Sequence, residues 1–194
     1  MLKDERSFAV IDTETNWDDQ IMSIGVTISG HDFQPVESRY YIVTPECLRP
    51  GMCSSVLRKN GVAVHMEDER SQVMDDIHAL LKKHDCRSVF AYNARFDMNH
   101  LPELSAYRWY DIIRIAAYRQ YNKTIPENAD CCGTGRLKRN YGVEPIMRGL
   151  SGKRTYREVH NALCDAVDEL LIMKFLGHSI ETYECALING KQVK

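Results

Sequence analysis

The stretch "FAVIDTETN", Phe8 to Asn16, sets the narrowest limit on how this chain can fold. Phe8, Ala9, Val10 and Ile11 form an unbroken apolar run, so a strand here is apolar on both faces. Such a strand belongs in the middle of a sheet, with a layer of other structure on each side. The run ends in Asp12, and Glu14 follows two positions later. Side chains alternate across a strand, so these two carboxyls share one face, a few ångströms apart. Like charges that close repel, and one takes up a proton unless a cation sits between them. An Arg, a Lys or a metal ion would serve. Two solvated acids at a strand end are the plainer alternative.

The remaining sequence reads as a single unit over residues 1–194, with no repeat, low-complexity tract or linker. Three strands come first, at Phe8–Asp12, Met22–Ser29 and Arg39–Val43. "SIGVTIS" alternates around Gly25, and "DFQPVES" supplies turn residues before the third strand, which predicts an antiparallel meander. "SQVMDDIHALLKKH" has apolar residues at 73, 74, 77, 80 and 81, which is helical spacing, and basic residues in its last turn. "SVFAYN" reads as a short buried strand and "ARFDMNHLPEL" as a short helix stopped at Pro102. "YDIIRIAAYRQY" mixes strand and helix signals with no clear boundary. The last long helix is "HNALCDAVDELLIMKFLG", with Gly177 as its stop signal. A meander followed by alternating strands and helices predicts an α/β fold, a mixed sheet with helices on its faces. Functional residues in such sheets gather at the carboxyl ends of central strands, where Asp12 and Glu14 lie.

With 44% hydrophobic and 27% charged residues, the 194-residue chain suits one soluble globular domain with a sizeable core. No apolar run approaches the roughly 18 residues of a membrane span, and "MLKDERSFAV" is too charged for a signal peptide. The seven cysteines include no C-x-x-C pair, and the adjacent Cys131 and Cys132 suit neither a tetrahedral zinc site nor an easy disulfide. They read as reduced packing thiols of a cytoplasmic protein. The net charge of −2 is unevenly spread. From Arg136 to Arg157 seven basic residues face one acid, Glu144, giving +6 there and −8 elsewhere. That basic segment is either a polyanion footprint or a solvated, loop-rich face.

Further acids join the first pair. "AYNARFD" places Asp97 shortly after the second buried strand, and "HNALCD" places His160 and Asp165 at the start of the last helix. Five positions at about 100° each leave His160 and Asp165 roughly 140° apart on a regular helix. They converge only if His160 lies just before the helix, where the chain leaves the regular path.

These segments resemble the three motifs of the DEDDh, or DnaQ-like, family of 3′→5′ exonucleases. Asp12 and Glu14 match the D-x-E of the first motif, Asp97 the acid ending the second, and His160 with Asp165 the H-x4-D of the third. The resemblance runs from about Phe8 to Gly177. It implies the ribonuclease H-like fold, with a mixed five-stranded sheet flanked by helices. It also implies two Mg²⁺ or Mn²⁺ ions, with Asp12 on both, Glu14 and Asp165 on one, and Asp97 near the other. Hard divalent ions prefer such oxygen ligands, and a pair of them clamps the attacking and leaving oxygens of an in-line displacement at phosphorus. His160 is then the general base, since an imidazole can take a proton from water near neutral pH. The implied products are nucleoside 5′-monophosphates, released from the 3′ end of single-stranded DNA or short RNA.

The sequence departs from the family around these motifs. Thr15, Asn16 and Trp17 stand where relatives often have Thr-Gly and an apolar residue, and Tyr92 precedes Asn93 where His or Gly-His is usual. Trp17 either stacks on the terminal base or packs at the strand end. Asn93 is either a substrate contact or a turn former, and Phe96 lines the nucleotide pocket or, the preferred reading, packs in the core. Thr13 is a further substrate contact, and Lys138, Arg139, Lys153 and Arg154 are candidate phosphate contacts. Two other readings stand beside a free-standing exonuclease, which as drawn leaves a homodimer open. One is a proofreading subunit bound to a polymerase, disfavoured because only 17 residues follow Gly177. The other is a non-catalytic nucleic-acid-binding module, disfavoured because binding alone needs no base.

Overall fold

The computed structural model describes residues 1–190; the last four positions of the expected 1–194 unit lie outside the described residues. β1 (Phe8–Thr15), β2 (Ile21–Ser29) and β3 (Pro35–Thr44) form the predicted antiparallel meander. Three short strands join it through parallel pairs: β4 (Met66–Glu69) on β3, β5 (Ser88–Ala91) on β1, and β6 (Arg108–Asp111) on β5. The order is β4-β3-β2-β1-β5-β6, which puts β1 in the interior of the sheet. Six strands are present where five were expected. The additional one, β4, is the edge segment "MEDE", three of whose four residues are exposed acids. Charge protects a sheet edge from pairing with another chain, and the same charge conceals the strand from a reading based on hydrophobic pattern.

The helices are α1 (Arg70–Lys83), α2 (Arg95–His100), α3 (Ile113–Ala116), α4 (Val143–Ser151) and α5 (Ala162–Leu176). α1 buries Val73, Met74, Ile77, Leu80 and Leu81, the five positions its spacing singles out. Alternation along β1 divides the core in two. Phe8 and Val10 pack with Phe90, Tyr110 and the α5 residues Leu170 and Met173, whereas Ala9 and Ile11 pack with Val73, Ile77 and Leu81 of α1. Each such side chain, once fully buried, is worth roughly 1.5–3 kcal/mol of transfer free energy. The boundary left open in "YDIIRIAAYRQY" is set by a side chain: Asp111 ends β6, and its carboxylate accepts the N–H groups of Ile113 at 3.2 Å and Asn93 at 3.0 Å. One carboxylate thus stops a strand, starts a short helix and fixes the turn before α2.

Candidate metal centre

Asp12 stands opposite Gly25 in the β1–β2 ladder. The first turn of α5 rests on that glycine, so closely that a Cβ there would lie 2.1 Å from the Ala162 carbonyl oxygen. Only the missing side chain lets α5 approach the sheet at this point, and the approach brings Asp165 to Asp12. Asn161 caps the helix. Its Oδ1 accepts the N–H of Cys164 at 3.3 Å, and its Nδ2 donates to the Val56 carbonyl at 3.0 Å. His160 sits just before the cap with φ of +59°, off the helical path, as its spacing from Asp165 requires. A left-handed backbone costs a residue other than glycine on the order of 1 kcal/mol, and here it turns an exposed imidazole toward the acids.

Three overlapping triplets result. Asp12, Glu14 and Asp165 each offer an oxygen within 4.8 Å of the others; Glu158, His160 and Asp165 form a second such group, and Glu14, Cys53 and His160 a third. Asp97 lies outside these triplets but close enough to push the Asp12 carboxyl up. It is buried, and its Oδ1 accepts the Thr13 hydroxyl at 2.8 Å. Thr13 is therefore a buried support for Asp97 at the end of β1.

The electrostatics mark a site short of positive charge. Burial and the neighbouring Glu169, Asp97, Asp165 and Glu14 raise Asp12 well above the usual carboxylate range. Burial, with Glu158 and Glu14 nearby, pushes Asp165 up to about 8, and burial pushes Asp97 up to about 7. Asp12 Oδ2 and Asp165 Oδ1 are closed off from solvent and have no hydrogen-bond partner among the described residues. A buried carboxylate without a partner either keeps its proton or takes a cation. An oxygen set of this kind suits a hard divalent ion, so the residues present fit the metal that the family resemblance implies.

Three members of the cluster escaped the sequence reading. Glu169 is buried, has an orphaned Oε2 and is raised well above its usual range by burial and by Asp97. It follows Asp165 by four positions on α5, so helical spacing alone puts both on one face. Glu158 is two residues from His160. Cys53 comes from a loop far away in sequence, and no local pattern announces it.

The other expected contacts divide. Trp17 is 71% exposed, so it is no packing residue, and Phe96, expected in the core, is 39% exposed with its ring 4.3 Å from that of His100. Phe96 faces outward because α2 turns the adjacent Asp97, its buried residue, inward. Asn93 is exposed with φ of +64°, as a turn former is. Lys138 and Arg139 both pair with Asp130, at 2.9 and 3.2 Å, and Arg148 and Arg157 both pair with Glu144. Lys153 and Arg154 are exposed and, among the described residues, have no carboxylate partner within 4.0 Å. The +6 segment is therefore partly neutralised in place. All seven cysteines are free thiols. No helix among the described residues is long and apolar enough to cross a membrane.

No family model matches this chain, and no curated protein sequence matches it either. Solved structures do. The zinc-bound complex of E. coli exonuclease I with single-stranded DNA superposes with a TM-score of 0.58 at 14% identity, over 89% of this chain and 40% of that one. E. coli exonuclease I in complex with a dT13 oligonucleotide gives the same values. Exonuclease I from Methylocaldum szegediense gives 0.52 at 16% identity, over 88% of this chain and 40% of its own. The chain spans about two-fifths of the length of these proteins. What it has in common with them is the ribonuclease H-like α/β fold, here built on a six-stranded sheet.

Proposed function

We propose that this chain is a metal-dependent 3′→5′ exonuclease, a single catalytic unit that hydrolyses phosphodiester bonds at the 3′ end of single-stranded nucleic acid. One observation supports this most: Asp12, Glu14 and Asp165 converge within 4.8 Å beside an imidazole that belongs to both neighbouring triplets. Asp12, Glu14 and Asp165 would hold one Mg²⁺ or Mn²⁺ ion, and Asp97 with Asp12 a second. When bound, such ions supply positive charge at the phosphate oxygens and acidify the attacking water. His160 accepts the water's proton at a ring nitrogen. Glu14 and Glu158 flank that ring, each with a carboxylate oxygen within 4.8 Å of a ring nitrogen. The products are nucleoside 5′-monophosphates.

Trp17 and Phe96 present exposed rings at the rim, where stacking on a base contributes roughly 1–3 kcal/mol. Lys153 and Arg154, exposed and without a carboxylate partner among the described residues, would hold upstream phosphates. Exonuclease I structures with the same fold were solved with single-stranded DNA, so DNA is the first substrate to test, with short RNA beside it. The test is a denaturing gel of 5′-labelled single strands with purified protein and Mn²⁺. A ladder shortening from the 3′ end is expected, and excess EDTA should abolish it. A labelled mononucleotide as first product would reverse the polarity, and a ladder that persists in EDTA would remove the metal from the reaction.

A further inference from the structure

Among the described residues, Cys53 is the thiol that shares a ligand triplet with this centre. Its loop is drawn against the end of β1 at Gly51, where a Cβ would lie 2.8 Å from the Thr15 carbonyl oxygen and 2.9 Å from the Asn16 Cα. Cys53 is buried, and its Sγ lies within 4.8 Å of a Glu14 carboxylate oxygen and of a His160 ring nitrogen. A thiol has no use at a site for hard ions, which prefer oxygen. Sulfur, imidazole nitrogen and carboxylate oxygen together are instead the donor set of a borderline-soft ion.

We propose that Glu14, Cys53 and His160, with Asp165 as fourth corner, form a site for a borderline-soft divalent cation of the Zn²⁺ class, and that its occupancy switches the nuclease off. The switching rests on His160 acting as the base proposed above; the binding does not. Bonds of about 2.0–2.3 Å put the ligand atoms of a tetrahedral zinc site about 3.5 Å apart. The three donor atoms already lie within 4.8 Å of one another, and rotation of the exposed His160 side chain closes the remainder. Asp165 is 2% exposed, and its Oδ1 lacks any hydrogen-bond partner. It shares one triplet with Glu14 and another with His160, so it adjoins two of the three donors, and the fourth corner closes as its carboxylate moves toward the thiol.

Binding releases the protons that the donors hold, that of the Cys53 thiol and that of the Asp165 carboxyl. The Cys53 S–H bond breaks, the sulfur lone pair binds the metal, and the proton leaves to solvent, so affinity rises with pH. Mg²⁺ does not drive the loss of the thiol proton, which separates the two classes of ion. With four protein ligands the site has no open position for water. The imidazole lone pair is engaged, and Glu14 is withdrawn from its triplet with Asp12.

Co²⁺ is the spectroscopic probe. Titrating the full chain with Co²⁺ in excess Mg²⁺ should produce a sulfur-to-cobalt charge-transfer band in the near ultraviolet, which Zn²⁺ abolishes. Cys53→Ser, checked for folding by its melting temperature, should lose that band and bind Zn²⁺ at least tenfold more weakly. In nuclease assays, the Zn²⁺ concentration for half-inhibition should rise at least tenfold in Cys53→Ser, each protein normalised to its own Mg²⁺-supported rate. A band of unchanged amplitude in the variant, or none in the wild type, overturns the site. A band present with no nuclease activity under any metal would keep the site and overturn the proposed function alone.

Discussion

Asp165→Asn in the presence of EDTA should change how folding stability depends on pH, and the size of the change follows from the site. The Asp165 carboxyl is pushed up to about 8 in the folded protein, from an ordinary value of 3.8. Its folded value lies above its unfolded one, so its contribution to stability is full below about pH 4 and is lost as pH rises toward 8. Between pH 5 and 7 the folded protein keeps this proton and the unfolded chain does not. One proton is worth about 1.36 kcal/mol per pH unit, so the wild type should lose about 2.7 kcal/mol across that interval from Asp165 alone. For a chain of this length that corresponds to a fall in melting temperature of about 5–10 °C. Asp97, pushed up to about 7, acts in the same direction. Other groups titrate in this range, and the amide variant subtracts those that do not feel Asp165; the difference that remains is Asp165 together with its coupling to Asp12. Urea unfolding at pH 5, 6, 7 and 8 in EDTA should therefore show a wild-type slope steeper than that of the variant by about 1.4 kcal/mol per pH unit between pH 5 and 7, falling to about half of that at pH 8. Saturating Mg²⁺ should flatten the wild-type curve, because a bound cation replaces the proton, and should move the variant less. Parallel curves for the two proteins in EDTA would refute the claim that the fold holds a proton on Asp165, and the case for a cation at this site would weaken with it.

Three further outcomes are expected. His160→Gln should reduce the rate by about 10²–10⁴-fold, the usual contribution of a general base, while Mg²⁺-linked thermal stabilisation stays within error of the wild type; loss of that stabilisation would make His160 a structural ligand instead. Gly25→Ala drives a methyl group into the Ala162 backbone and should cost about 3 kcal/mol or more, because backbone cannot step aside as a side chain does. Any folded fraction should bind Mn²⁺ weakly, and near-normal stability in thermal melts would show that α5 is free to shift. Replacing Lys153 and Arg154 by Gln should flatten the slope of log K against log salt for single strands by about 1.4, at about 0.7 per phosphate contact, whereas the same change at Lys138 and Arg139, already paired with Asp130, should flatten it less; equal effects would show that the Asp130 pairs open on binding.

How much of this was legible in the sequence depends on the range over which each signal acts. The centre of the sheet was legible because the run Phe8–Ile11 is local and apolar on both faces, and the two cores it feeds follow from alternation. α1 was legible from its spacing, and the cap geometry of α5 from the mismatch between five positions and a helical turn. β4 was not, because an edge strand made of acids has no hydrophobic pattern. Nor was the boundary after β6, which is set by what the Asp111 side chain binds across space. The site divides along the same line. Asp12 and Glu14, and Asp165 and Glu169, are pairs related by strand or helix period, so each is readable once its element is known. Cys53 is carried to the centre by the loop that Gly51 lets close on the end of β1, and Asp165 by the helix that Gly25 lets rest on the sheet. Glycines in a sequence show where an approach is allowed, never what arrives. That is why the thiol, the sulfur donor among the oxygens and the imidazole of this centre, came from the fold, and why its response to a borderline-soft cation is the sharpest measure of how this centre is built.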